Sequence, residues 1–123
     1  MKKRILYIED NLNNRLVVKR ILEAEGYELI EAVDGESAWG IIERESPDLI
    51  LIDLFLPGMD GLEFTKLIKS DPRFRDIPLV ALTAYGDTPI EKAMRRAGCD
   101  DFLHKPANVQ QIRAVTHRFL GPA

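Results

Sequence analysis

The stretch LILIDLFLPGMDGLEF, residues 49–64, decides the fold of this 123-residue chain. Its first four residues, Leu49 to Ile52, are all apolar, which is typical of a short strand buried on both faces of a sheet. Asp53 follows directly, and then come a Pro-Gly turn and, after Gly61, a segment with helical spacing. A buried strand that leads through a turn into a helix is the unit from which parallel α/β sheets are built.

The same strand-and-helix unit occurs five times along the chain. The other strand-length runs are Ile5 to Ile8, Glu28 to Val33, Leu79 to Leu82 and, more weakly, Asp101 to His104. Apolar residues at helical spacing follow each run. This alternation predicts an α/β fold of the doubly wound, flavodoxin-like class, with a five-stranded parallel sheet, helices on both faces and strand order 2-1-3-4-5.

Composition narrows the class of protein. The chain has 17 basic and 20 acidic residues, and this net charge of −3 disfavours non-specific binding to nucleic acid or anionic membranes. The apolar runs are far shorter than the roughly 18 residues of a membrane span. One cysteine, Cys99, excludes an intramolecular disulfide and fits a reducing compartment. We therefore expect a single cytoplasmic domain over residues 1–123, without an output domain, membrane contact or direct DNA binding.

The residues at the carboxyl ends of the predicted strands indicate where chemistry takes place, because ligands of open α/β sheets bind there. Glu9 and Asp10 follow the first strand, and Asp53 follows the third. Strands one and three are neighbours in the expected order, so three carboxylates would converge. Such a site should hold a cation or contain carboxyl groups with raised pKa values.

The donor types favour phosphoryl chemistry. Oxygen ligands without histidine or cysteine favour a hard ion such as Mg²⁺. Thr83, at the end of the fourth strand, supplies a hydroxyl group, and Lys105, after the fifth, supplies a positive charge suited to a phosphate oxygen. A lone acidic residue at a strand end is more often a turn residue or a helix cap, so the prediction of a phosphoryl-transfer site depends on all these positions together.

Four segments, in this order, resemble the receiver domain of bacterial response regulators. They are IEDNLNNR (8–15), LILIDLFLPGMDGLEF (49–64), LVALTAY (79–85) and AGCDDFLHKP (97–106), and the resemblance extends over residues 4–120. It implies a switch that accepts a phosphoryl group from a histidine kinase or a histidine phosphotransfer protein. The modified domain would then present an altered surface to a downstream protein partner.

The resemblance also implies a role for each acidic residue. Asp53 would be the phosphoacceptor, and Glu9 and Asp10 would be the acidic pair of the metal site. Mg²⁺ would be held by Asp10, Asp53 and the backbone carbonyl of Phe55, with Glu9 beside them.

Residues after the fourth and fifth strands would contact the phosphoryl group and transmit its presence. The resemblance assigns phosphoryl contacts to Thr83, Ala84 and Lys105, and a switching role to Thr83 together with the aromatic Phe102. The bond between Lys105 and Pro106 is expected to be cis.

Two further features concern lifetime and partner. Phe55 and Tyr85 stand where the family tunes hydrolysis, and neither has a carboxylate or amide to orient water, so slow self-dephosphorylation is expected. Asn11 and Asn14 form an EDNxxN pattern that resembles receivers paired with phosphotransfer proteins, although Asn11 would serve equally well as a helix cap.

Other functions remain as alternatives. A receiver portion of a hybrid histidine kinase would have a similar sequence. An aspartyl-phosphate hydrolase is disfavoured because Phe55 stands where a second acid is common, and Glu9 and Asp10 would repel the phosphate of a flavin cofactor. We also expect Cys99 to be buried and unreactive, His104 to point away from Lys105, and the charged residues of the second and fourth helices to be solvent-exposed.

Overall fold

A computed structural model describes residues 2–54, 60–83, 89–105 and 107–121. Five parallel strands form one sheet in the order β2-β1-β3-β4-β5, which confirms the predicted fold class. The strands are β1 (Arg4–Ile8), β2 (Glu28–Ala32), β3 (Leu49–Asp53), β4 (Leu79–Thr83) and β5 (Asp101–His104). The helices are α1 (Leu12–Ala24), α2 (Gly35–Glu45), α3 (Gly61–Ser70), α4 (Pro89–Ala97) and α5 (Val109–Leu120).

The sheet is covered on both faces because successive strand residues point to opposite sides. On one face, Leu6 and Ile52 pack in a core with residues of α2, α3 and α4. On the other, Tyr7 and Leu51 pack with residues of α1 and α5. All residues of β3 and β4 are buried, as the continuous apolar runs predict for central parallel strands.

Side-chain caps fix where four of the helices begin. Asn11, Asp34, Asp60 and Asn108 each accept a hydrogen bond from a backbone N–H in the first turn of α1, α2, α3 and α5, respectively. Three of the caps follow the last residue of the preceding strand by two to four residues, and Asp60 follows Asp53 by seven, so all four stand in loops at the carboxyl edge of the sheet. The caps therefore determine where the chain turns beside the strand ends.

The α4–β5 connection requires a glycine. Gly98 has a φ of +108°, and a Cβ atom there would lie 2.9 Å from Cγ of Lys69. The neighbouring Cys99 is buried, as predicted, and burial raises the pKa of its thiol to about 11, so the group is protonated and unreactive near neutral pH.

One prediction about the helix surfaces is wrong. Glu91 of α4, expected on a solvent-exposed face, is buried. It lies on the side of α4 that covers β5, where its Oε1 is 3.5 Å from Nε2 of His104.

No helix within the described ranges is long and apolar enough to cross a membrane.

Candidate functional site

Asp53 is the last residue of the central strand β3, and it is only 5% exposed. Its Oδ2 accepts a hydrogen bond from Nζ of Lys105 at 2.6 Å. The backbone N–H of Lys105 donates to the carbonyl oxygen of Thr83 at 2.7 Å, and this bond continues the β4–β5 pairing beyond the last residue of β5. The lysine therefore reaches Asp53 across the end of β4 from an anchored backbone.

Three carboxyl groups meet at this edge of the sheet. Oxygen atoms of Glu9, Asp10 and Asp53 all lie within 4.8 Å of one another. The pairing of β1 with β3 brings them together, since β1 ends at Ile8, opposite Ile52. Glu9 and Asp53 are buried and Asp10 is exposed, so the group opens to solvent through Asp10.

Glu9 is the most deeply buried of the three. Its Oε1 accepts hydrogen bonds from the backbone N–H of Asn11 at 3.3 Å and from Nδ2 of Asn14 at 3.2 Å. Its Oε2 lies 3.7 Å from Nζ of Lys105 and has no hydrogen-bond partner among the residues that the structure describes. Burial, with a further contribution from Asp53, raises the pKa of Glu9 to about 7 against the opposing effects of Asn14 and Lys105.

These donors fit a hard divalent cation. A buried carboxylate oxygen without a hydrogen bond, beside two further carboxylates, is the environment that a cation relieves. The three side chains offer oxygen alone, which matches Mg²⁺ and does not match zinc or copper. The side chains that would hold the ion are thus Glu9, Asp10 and Asp53.

The loop between β1 and α1 is held by side chains of the helix that follows it. Asn11 caps α1 by accepting from the backbone N–H of Asn14 at 3.0 Å, so the capping alternative for Asn11 is confirmed. Nη1 of Arg15 donates to the carbonyl oxygens of Glu9 at 2.9 Å and of Asp10 at 3.2 Å. Arg15 was not among the predicted site residues; its signal in the sequence is its place in the first turns of α1, from which a long side chain can reach back over the loop.

The opposite side of the site is built from β4, β5 and α4. Thr83 ends β4 and is buried. Phe102 is 8% exposed, with its ring in the core and the guanidinium of Arg95 4.5 Å from the ring centroid. The switching role predicted for Phe102 therefore falls on a ring that is already covered in this structure. His104 points outward to Glu91, away from Asp53.

Four residues of the predicted site, namely Phe55, Ala84, Tyr85 and Pro106, lie outside the residues that the structure describes. The backbone carbonyl ligand, the two hydrolysis-tuning side chains and the expected cis bond accordingly stay predictions from the sequence.

Comparison with known proteins identifies relatives over the whole length. The polar-differentiation response regulators DivK of Brucella anthropi and Brucella ovis are each 37% identical over 123 residues, which cover 100% of both chains. The structure is similar to the chemotaxis protein CheY4 of Vibrio cholerae, with a TM-score of 0.92, 26% identity and coverage of 98% of this chain and 100% of the other.

A second solved structure bears on the metal site. The receiver domain of sensor histidine kinase PA1611 from Pseudomonas aeruginosa has a TM-score of 0.90 and 32% identity, with coverage of 98% and 99% of the two chains. That structure has a magnesium ion coordinated in the active site cleft.

The family described as response regulator receiver domain matches residues 5–117. Receiver domains are signalling domains that act with histidine kinases or phosphotransfer proteins, and the strand order and acidic cluster agree with that assignment. Neither the hydrolase nor the flavin-carrier alternative is favoured. The chain belongs to the response regulator receiver domain family.

Proposed function

We propose that Asp53 accepts a phosphoryl group from a phosphohistidine donor in a reaction that requires Mg²⁺. The observation that carries this proposal is the buried position of Asp53 at the end of β3, with Nζ of Lys105 at 2.6 Å and two further carboxyl groups beside it. Glu9, Asp10 and Asp53, with the backbone carbonyl of Phe55, would hold the ion. When bound, Mg²⁺ neutralises charge on the phosphoryl oxygens.

The transfer exchanges one phosphorus bond for another. A carboxylate oxygen of Asp53 attacks phosphorus, the N–P bond of the donor breaks, and the imidazole retains the electron pair and takes up a proton. The product is an acyl phosphate on Asp53. Lys105 is already paired with this carboxylate, and its ammonium group stabilises the charge that the phosphoryl oxygens bring.

The new group would change the surface around α4, β5 and α5. Thr83 would turn its hydroxyl toward the phosphoryl oxygens, the backbone N–H of Ala84 would donate to them, and Phe102 would adjust to the space left by Thr83. Amide resonances should therefore shift mainly within residues 88–119 on phosphorylation. Shifts confined to residues 36–45 of α2 would contradict this direction of response.

A protein donor is supported by apolar side chains near the site. Leu12 and Val17 of α1 and Val109 of α5 are about half exposed, as is Leu16. Val17 and Val109 line the same groove of about 410 Å³. Val17 also lines a second cavity together with Asn14 and Lys105, so these apolar side chains form a rim that adjoins the site. Exposed apolar surfaces of this kind suit contact with a protein donor.

The rim can be tested separately from the chemistry. Leu16→Glu should slow transfer from a histidine kinase or phosphotransfer protein and leave phosphorylation by acetyl phosphate unchanged. Leu67→Glu, at an exposed position of α3, is the matched control and should affect neither reaction.

We further propose a cytoplasmic location, a downstream protein partner and no direct contact with DNA, in agreement with the net negative charge.

The phosphorylated form is proposed to decay slowly. In-line attack needs an oriented water molecule, and Phe55 and Tyr85 supply neither a carboxylate nor an amide for that purpose. The test is the decay rate of the phosphorylated wild type beside the Phe55→Asn, Tyr85→Glu double variant. A double variant that decays no faster would remove this part of the proposal.

The central test is phosphoryl incorporation from acetyl phosphate with Mg²⁺, measured by intact mass. The wild-type protein should gain one phosphoryl group, and Asp53→Asn should gain none. Asp76→Asn, which changes an exposed aspartate before the first residue of β4, at the edge of the sheet opposite the site, should behave as wild type. Equal gain by wild type and Asp53→Asn, or full gain in the presence of EDTA, would contradict the proposal.

A further inference from the structure

The side chain of Arg15 makes several contacts with the loop between β1 and α1 that contains Glu9 and Asp10. Its side chain is only 14% exposed, although it belongs to a surface helix. One nitrogen, Nη1, donates to two consecutive carbonyl oxygens, those of Glu9 and Asp10, at 2.9 and 3.2 Å. Since Asn11 already caps α1, these bonds serve the loop and not the start of the helix.

The guanidinium is itself held from the neighbouring strand. Its Nε lies 3.5 Å from Oε1 of Glu31 on β2, and Oε2 of the same glutamate lies 3.4 Å from Nζ of Lys19. Glu31 thus orients Arg15 and partly neutralises its charge. The planar guanidinium can contact the loop and Glu31 at once, which the single ammonium group of lysine cannot do.

Two effects of Arg15 on a cation in the cluster oppose each other. As a positive charge beside Glu9 and Asp10, it repels the cation. As a clamp on their carbonyl groups, it keeps the two carboxylates directed toward Asp53, so that less ordering is needed when the ion binds. The largely covered, multiply bonded position of Arg15 argues that the clamp is the stronger effect.

We propose that Arg15, oriented by Glu31, is a positioning residue that preorganises Glu9 and Asp10 for Mg²⁺. This inference rests on the proposed function to the extent that the cluster binds the ion. The loss of Arg15 should therefore weaken the binding of Mg²⁺. Charge alone predicts the opposite, because the loss of a nearby cation should strengthen that binding.

The test compares three variants by titrating Mg²⁺ into ¹⁵N-labelled protein and following the amides of the β1–α1 loop. Arg15→Met keeps most of the apolar stem and should weaken Mg²⁺ binding about tenfold, the low end of the loss typical of a second layer of contacts around a metal. Arg15→Lys keeps the charge and should also weaken it. Lys19→Met removes a neighbouring positive charge that touches Glu31 but not the loop, and it should leave binding unchanged or slightly tighter.

Folding and the metal hypothesis are controlled separately. The spectrum of each variant reports whether it folds. Glu31→Gln releases Nε of Arg15 and should also weaken Mg²⁺ binding, so it replaces Arg15→Met if that variant does not fold. In metal-free protein, amide hydrogen exchange of residues 10–14 should be faster in Arg15→Met than in wild type. A purely structural role would lower the stability of the variant without changing the Mg²⁺ affinity of the folded form.

The outcomes distinguish this inference from the proposed function. If wild type binds Mg²⁺, Asp10→Ala weakens that binding, and Arg15→Met binds as tightly as wild type or more so, only the role of Arg15 is overturned. If wild type binds no Mg²⁺ at all, both are overturned.

Discussion

The two sides of the cleft around Asp53 are held in different ways. On the β1–α1 side, Glu9 and Asp10 are fixed by directional hydrogen bonds from Asn14 and Arg15, residues at most six positions away in the chain. The side formed by β4, β5 and α4 is held by contacts between separate elements. There the guanidinium of Arg95 covers Phe102 at 4.5 Å, and His104 lies 3.5 Å from Glu91.

Because the two sides are held differently, we expect them to have different functions. Local hydrogen bonds to backbone carbonyls fix geometry, which a small ion with strict octahedral demands requires. The cation–π contact of the exposed Arg95 contributes about 1 kcal/mol or less, so it can be exchanged for another contact at small cost. Under the proposed function, the first side would hold the metal ligands Glu9 and Asp10, and the second would change when the charge at Asp53 changes.

The largest expected effect comes from the residue that joins the two sides. Nζ of Lys105 contacts Asp53 and Glu9, and its backbone N–H donates to Thr83. Lys105→Met should slow phosphorylation by acetyl phosphate about 100-fold, because one positive group aimed at the developing charge is lost. The measurement is the initial rate of mass gain at saturating Mg²⁺.

The control for this variant is Lys66→Met, which removes an exposed lysine from α3 and should keep the wild-type rate. A rate for Lys105→Met within twofold of wild type would mean that the two sides are not coupled through this ammonium group.

A smaller effect concerns the pH dependence of stability on the β1–α1 side. In metal-free protein the pKa of Glu9 is about 7, above its usual 4.5, so the folded state binds this proton more tightly than the unfolded state. The free energy of unfolding should accordingly fall as the pH rises from about 5 to about 7, and the loss should be complete above that range. Urea unfolding in EDTA between pH 5 and pH 8 measures it.

Glu9→Gln should flatten this part of the profile and make the protein more stable than wild type at pH 8. Glu23→Gln, at an exposed position of α1, should retain the wild-type slope. Parallel profiles for wild type and Glu9→Gln would show that Glu9 is not the group that titrates there.

The smallest effect is expected on the α4–β5 side. A double-mutant cycle with Arg95→Gln and Phe102→Leu should give a coupling of about 0.5–1 kcal/mol in the free energy of unfolding, the usual size of an exposed cation–π contact. As a control, the same cycle with Arg96→Gln, at the neighbouring exposed arginine, and Phe102→Leu should give no coupling. A coupling above about 3 kcal/mol would contradict the view that this side is loosely held.

The sequence predicted the convergence of the carboxylates for a physical reason. Continuous apolar runs identify central parallel strands, and the strand order then places Glu9, Asp10 and Asp53 at one edge. It did not predict what holds them. The contacts of Arg15 and Arg95 were not predicted, since the contacts of a long side chain depend on helix orientation and not on spacing.

The buried Glu91 shows the same limit. Its helical position predicted a solvated face, and only the packing of α4 over β5 reveals that it faces His104. Patterns of apolar residues place elements, whereas polar contacts between elements need the folded geometry.

The most direct test of the account is to locate the phosphoryl group. Protein treated with acetyl phosphate and Mg²⁺ is reduced with borohydride, which converts an acyl phosphate to an alcohol, and the modified peptide is sequenced by mass spectrometry. We expect modification at Asp53 and at no other carboxyl group. Modification at Glu9, at Asp10 or at an exposed carboxyl group such as Asp76, with Asp53 intact, would contradict it.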